Sequence, residues 1–218
     1  MKIFNEDRIF IVWVFLLPVF LSPFLKCGDV MAYEEAKYTV IEKDGDFELR
    51  QFEPRIVAET IVEGEFDEVG SEGFRRLFKY ISGNNRIKQT IPMTAPVTRE
   101  MKSEKLPMTA PVTQEKAGDK WRIAFLMPSK FTLETLPEPL DPGIELKEIP
   151  GSLMAVLVYS GTWSRARYEE KRAELEKLIG KRNLIITGEA VFARYNPPFT
   201  LWFLRRNEVL IPVGQIQK

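Results

Sequence analysis

Apolar positions recur along this chain with two different periods, and the switches between them divide it into elements. From Asp67 to Ile81 (DEVGSEGFRRLFKYI), Phe74, Leu77, Phe78 and Ile81 share one face of a predicted helix, with Gly83 past its end. A second helix is predicted over Ser164 to Ile179 (SRARYEEKRAELEKLI), with Tyr168, Leu175, Leu178 and Ile179 inward, Ser164 as N-cap and Gly180 as the stop. Short β-rich stretches surround them, among them RIVAETIVE and LMAVLVYS, separated by turn signals such as Asp44-Gly45-Asp46 and Asn207. The predicted class is α+β.

The pattern repeats. At an offset of 97 residues, Gly64-Glu65-Phe66-Asp67 falls on Gly161-Thr162-Trp163-Ser164, Ile81 on Leu178, and Gly83 on Gly180. Further on, WRIAFL (121–126) resembles FTLWFL (199–204), but at an offset of 78, which places an insertion in the first half. That insertion is visible as PMTAPVT at Pro92 to Thr98 and again at Pro107 to Thr113. Proline cannot donate to a ladder, so each copy is expected as an edge strand or an extended arm. Two strand-helix-strand-strand halves would close a curved sheet with the helices outside and a binding groove along the pseudo-twofold axis.

The N-terminus has a separate character. Ile9 to Leu25 is a 17-residue apolar run without a charge, interrupted by Pro18 and Pro23. It is shorter than the about 20 residues a spanning helix wants. Val30-Met31-Ala32 offers a signal-peptidase junction, so residues 1–32 are expected to be a signal peptide cleaved near Ala32, or otherwise an uncleaved membrane anchor, with 33–218 the folded domain. Cys27 follows Lys26, a large charged residue, which argues against lipidation there. The expected location is outside the cytoplasm, periplasmic or extracellular.

Composition narrows the chemistry. Hydrophobic residues make up 44% of the 218 positions, enough to bury one core. The 31 basic residues balance the 31 acidic ones, so no net field draws nucleic acid, and membrane contact is expected only through the N-terminal segment where it is retained. There is no histidine, and the single cysteine is Cys27. Imidazole-based triads, histidine-rich zinc sites and axial histidine on haem are therefore excluded.

The runs ISGNN (81–85), IPMTAPVT (91–98), AFLMPSKFTLETLPEPLDP (124–142), YSGTW (159–163) and VFARYNPPFTLWFLRRNEV (191–209) together resemble the SOUL haem-binding family over nearly all of Tyr38 to Val213. The tandem MTAPV resembles the prokaryotic branch. The resemblance implies a distorted antiparallel β-barrel of about eight strands with two long flanking helices, built by internal duplication, and it implies tetrapyrrole binding. The site it implies is an open apolar groove formed by Phe74, Leu77, Phe78 and Ile81 of the first helix and by Asn196, Pro197, Pro198 and Phe199 of a late loop. If haem binds, the iron is left with Met93, Met108, Met127, a tyrosine such as Tyr80 or Tyr195, or water.

Each of these residues also has a plainer reading. The stripe Phe74, Leu77, Phe78 fits burial against its own sheet. The methionines fit as gap fillers. Arg75, Arg76, Lys79, Arg205 and Arg206 could meet ligand carboxylates, yet also fit as solvated charges. Asn196 to Phe199 fits a stiff turn. Glu59, Glu63, Glu189 and Glu208 show no spacing that singles out an acid and base pair, and are expected at the surface. The function expected is a non-enzymatic haem or tetrapyrrole carrier or buffer. The alternative is an effector-binding type module for amphipathic small molecules or a protein partner.

Overall fold

Strands form where β-branched and aromatic residues alternate with polar ones, and the alternation tells which face each strand gives to a helix. The computed structural model describes residues 33–87 and 103–215. The apolar run Ile9–Leu25, Cys27, the Ala32 junction and the first PMTAPVT copy with Met93 lie outside the described residues.

The strands are β1 (Tyr38–Asp44), β2 (Phe47–Phe52), β3 (Arg55–Val62), β4 (Val112–Ala117), β5 (Lys120–Leu126), β6 (Ile144–Ile149), β7 (Ser152–Tyr159), β8 (Leu184–Ile186), β9 (Val191–Arg194) and β10 (Asn207–Gln215). Helix α1 (Phe66–Ile81) follows β3, and α2 (Arg165–Lys181) follows β7. Nine strands run in the order β6, β3, β5, β4, β9, β10, β7, β2, β1, each antiparallel to its neighbours, in a sheet curled into an open half-barrel; β8 pairs with β10 beside this path. The α+β architecture with two flanking helices agrees with the sequence expectation.

The duplication is real, and the halves are interlaced. The offset of 97 carries Phe47 to Ile144 and Arg55 to Ser152, and it exchanges the pairings Phe52 with Ser152 and Ile149 with Arg55. Each half thus lends its first strand to the other. Met154 faces Pro212 as Val57 faces Leu126, so the counterpart of β5 is β10, displaced by 86 positions. The comparison of WRIAFL with FTLWFL is therefore corrected. Thr200 and Leu201 are not in a strand, and Trp202–Leu204 is a 3-10 turn in the long connection between β9 and β10.

The second PMTAPVT copy departs from expectation as well. Thr109–Ala110 pair in parallel with Glu34–Glu35, but Val112–Thr113 open β4, which lies in the middle of the sheet between β5 and β9. Pro111 sits just before that strand, where its missing N–H takes nothing from the ladder.

Both helices cover one face. Ala58, Val62, Ile123 and Phe125 pack under α1 with Val69, Leu77, Tyr80 and Ile81, while Ala155, Leu157, Val209 and Ile211 pack under α2 with Tyr168, Leu175 and Ile179. A smaller cluster of Phe52, Met154, Val156, Ala193 and Leu210 occupies the opposite, concave face. These cores, the strands and both helices all lie within the single compact unit Tyr33–Lys218.

Two helix details differ from the sequence reading. The line along which α1 touches the sheet runs through Phe66, Gly70, Gly73 and Leu77, with Phe74 at its edge against Phe125 (5.3 Å). A Cβ at Gly73 would stand 2.4 Å from Ile123. Phe74 and Phe78 are turned to the flank, stacked on each other at 5.8 Å. Gly180 lies inside α2; its chain reversal falls at Asn183, whose φ of 54° is a conformation asparagine tolerates. Ser164 does cap α2, accepting from the Arg167 N–H.

Gly73→Ala is expected to lower stability by about 1–3 kcal/mol, because overpacking against Ile123 outweighs the helix propensity gained. Urea unfolding checks it; an unchanged or higher midpoint contradicts the close helix and sheet contact.

Candidate functional site

Because α1 approaches through glycines, the flank of the helix stays open beside the end of β9. There a cavity of about 410 Å³ lies between Gly70, Ser71 and Phe74 of α1 and Tyr195–Phe199 of the β9–β10 connection. Met108, Thr109, Ala110, Val112, Trp163, Arg194 and Tyr33 complete its walls. This volume falls within the range of about 300–1,000 Å³ usual for small-molecule sites.

Of the expected site residues, Phe74, Asn196, Pro197, Pro198 and Phe199 come together around this cavity. Phe78 stacks on Phe74 but is not part of the lining and is 45% exposed. Leu77 and Ile81 are corrected out of the lining. They point into the core at 0% and 4% exposure, held there by the one-sided packing of α1 on β3 and β5.

The connection is a built structure. Asn196 Oδ1 accepts from the Arg206 N–H at 2.6 Å, closing its neck. Arg205 donates to the carbonyls of Thr200 (2.8 Å) and Pro198 (2.9 Å) and stacks over Trp163, 4.2 Å from the ring centroid. Trp163 is fixed in turn by its Nε1–H donated to Asn207 at 2.7 Å.

Sequence reasoning missed the most informative residue, Arg194. Its guanidinium borders the cavity, donates to Gln114 Oε1 at 2.7 Å, and lies over Trp163 (5.3 Å) and Phe192 (4.9 Å). Among the described residues no carboxylate pairs with it, and its Nε is buried without a hydrogen-bond partner. Burial pulls its pKa down to about 10, so at neutral pH it remains a cation in a largely apolar wall. The available signal was its place two residues before the Asn196-Pro197-Pro198 motif.

Arg206 and Arg76 are already engaged. Arg206 binds Glu208 at 2.8 Å and Glu35 at 3.0 Å, and Arg76 reaches Thr60, Glu72 and Asp141. Arg75 and Lys79 are solvent-exposed. Two of the four carboxylates expected at the surface are instead buried: Glu208 sits between Arg50 (2.9 Å), Arg206 and Tyr195 (2.6 Å), and Glu59 lies near Arg122 (3.4 Å). They lie on the concave face, where each desolvated charge needs its partner. Glu63 and Glu189 are exposed.

The possible iron ligands separate in the same way. Tyr80 is fully buried and donates to the Pro137 carbonyl, and Met127 is in the α1 core, so neither can reach the cavity. Met108 and Tyr195 line it. The Tyr195 hydroxyl donates to Glu208, and burial together with that carboxylate pushes its pKa well up, which opposes a phenolate. The groove expected along the pseudo-twofold axis is a smaller cavity of about 130 Å³ inside the curl of the sheet, bordered by Glu59, Glu115, Arg122, Arg55 and Met154.

Comparison with known proteins agrees with this architecture. The chain is 26% identical to heme-binding protein 1 of Xenopus laevis over 175 residues, 76% of this chain and 87% of that protein. It is 25% identical to heme-binding protein 2 of Homo sapiens over 173 residues, 75% and 80% of the two chains. Among solved structures, the C-terminal domain of EcmrR superposes with a TM-score of 0.57 at 11% identity, covering 82% of this chain and 99% of that one. A hydrolase from Listeria innocua reaches 0.51 at 13% identity, covering 80% and 94%. These two share the fold. The profile of the SOUL heme-binding protein family matches residues 33–212, and the chain belongs to that family.

Proposed function

We propose that this chain binds haem or another tetrapyrrole non-covalently in the cavity between α1 and the β9–β10 connection, as a carrier or buffer without catalysis. The observation that carries the reading is a half-buried cation, Arg194, with no carboxylate in salt-bridge range among the described residues and its Nε buried without a partner, set in a largely apolar cavity of about 410 Å³. A flat apolar ring with acidic side groups matches both features. Phe74, Phe199 and the two prolines would cover the faces of the ring, and Arg194 would meet a carboxylate. Membership of the SOUL family and the names of the two animal relatives support it.

With no histidine in the chain, Met108 is the soft donor beside the cavity. Affinity then rests on apolar cover, at roughly 2.5 kcal/mol per 100 Å² removed from water, against association costs of about 4–15 kcal/mol. The outcome is modest affinity that differs little between metallated and free-base rings. A second reading, a module for amphipathic small molecules generally, is favoured by the charged cavity inside the sheet, where Arg55 Nη1 is buried without a partner. Arg55→Gln distinguishes the two, because it would weaken binding only in the second.

The proposed location is outside the cytoplasm, resting on the apolar run Ile9–Leu25 and the small residues before Tyr33. Intact-mass analysis of the protein from a membrane and soluble fractionation is expected to give a mature chain beginning at Tyr33. A cytoplasmic full-length product rejects the export reading.

Absorbance titrations of hemin and of iron-free protoporphyrin into residues 33–218 test the pocket. Arg194→Gln and Phe199→Asp are each expected to weaken both titrations by about tenfold or more, the scale of one charge-assisted contact of about 1.5–3 kcal/mol. Met108→Ala is expected to weaken both titrations alike through lost apolar cover, and a change confined to the hemin spectrum would instead show that its sulfur reaches the iron. Unchanged curves for both Arg194→Gln and Phe199→Asp place the ligand elsewhere.

A further inference from the structure

Beyond the cavity, the β9–β10 connection carries a feature the ligand does not use. Leu201, Trp202, Phe203 and Leu204 are 57%, 58%, 52% and 64% exposed, while the cavity lining ends at Phe199. Four consecutive large apolar side chains facing water form a patch that a soluble surface rarely leaves without a role. We infer that this 3-10 turn is a lipid-docking wedge that seats the folded unit on a bilayer surface.

The turn is presented rigidly. Leu204 N–H donates to the Leu201 carbonyl at 2.9 Å, and Arg205 clamps Pro198 and Thr200 from behind while stacked on Trp163. Among the described residues no strand pairs with this turn, because the β9 and β10 ladder closes at the Arg194 and Asn207 pair. Their chemistry fits an interface between water and hydrocarbon, where tryptophan and phenylalanine settle with arginine close behind. One protruding turn is also small beside the roughly 800 Å² per partner that a stable protein interface buries.

A second observation points to the same occupant. The chain enters the folded unit beside the turn: Tyr33 lines the cavity with Pro197–Phe199, and Glu35 binds Arg206 at 3.0 Å. The apolar run ends at Leu25, eight positions before Tyr33, a link of at most about 29 Å. While the run is held in a membrane, as a retained anchor or before cleavage near Ala32, that membrane is within reach of the turn. The inference does not depend on what fills the cavity.

Co-sedimentation of residues 33–218 with phosphatidylcholine vesicles containing phosphatidylglycerol tests it. The unit is expected to partition onto vesicles, and the double variant Leu201→Ser, Phe203→Ser to partition at least about tenfold less, with its thermal midpoint and hemin titration in lipid-free buffer unchanged. In the unaltered turn, brominated-chain lipids are expected to quench a tryptophan signal that Trp202→Phe removes. Absence of vesicle binding, equal binding by the double variant, or a lipid-independent dimer abolished by that variant each overturns the proposal; the last makes a second copy the occupant.

Discussion

Gln114 is the side chain through which the two halves and the cavity are held in register. It is buried at the centre of the sheet on β4, donates its amide to the Phe66 carbonyl at the start of α1 at 3.0 Å, and accepts from Arg194 on β9 at 2.7 Å. One neutral amide thereby fixes a helix terminus, the seam between repeats and the only hydrogen bond given to the cavity's cation among the described residues. The fit is close: a Cβ at Gly70 would fall 2.9 Å from the guanidinium and 3.1 Å from Gln114 Oε1. Glycine at that point of α1 is what allows the cation to sit at the seam at all.

Interlacing explains why duplication did not produce two equal sites. The exchange of β2 and β6 between halves makes the curl symmetric, but the hairpins that end each half are not alike. Gly118-Asp119 turns β4 into β5 in two residues, whereas Tyr195 to Arg206 separate β9 from β10. The longer connection gives a wall to the flank of α1, so an almost symmetric fold carries one large cavity to the side of its axis. The axis itself retains a smaller, charged hollow.

Much of this was legible in the sequence because it follows from period and spacing. Both helices, the offset of 97 and the role of Ser164 are local signals, and helix and loop residues expected to meet do meet at Phe74 and Asn196 to Phe199. What was not legible depends on the third dimension. A helical wheel favours Leu77 and Ile81 as readily as Phe74, and only the glycine contact line of α1 decides which ridge turns to the flank. Likewise FTLWFL carries strand-like residues, yet strand pairing is spent before it begins, so it becomes an exposed turn. Arg194 reads as one basic residue in a strand until its neighbours prove to be Trp163, Phe192 and an amide, not a carboxylate.

That last arrangement would set what the proposed site discriminates. A cation half withdrawn from water with no carboxylate in contact weakens the folded state, and burial lowers its pKa although the charge of Asp67 acts in the other direction. A neutral apolar ring would remove more water from Arg194 and offer nothing in return. A ring bearing a carboxylate would relieve the desolvation while covering the same apolar walls. Selectivity for acidic macrocycles would then arise without iron coordination, and binding would also stabilise the fold in proportion to the logarithm of ligand concentration over its dissociation constant. A chain without histidine would in this way distinguish its ligand by charge and shape while remaining tolerant of the metal at its centre.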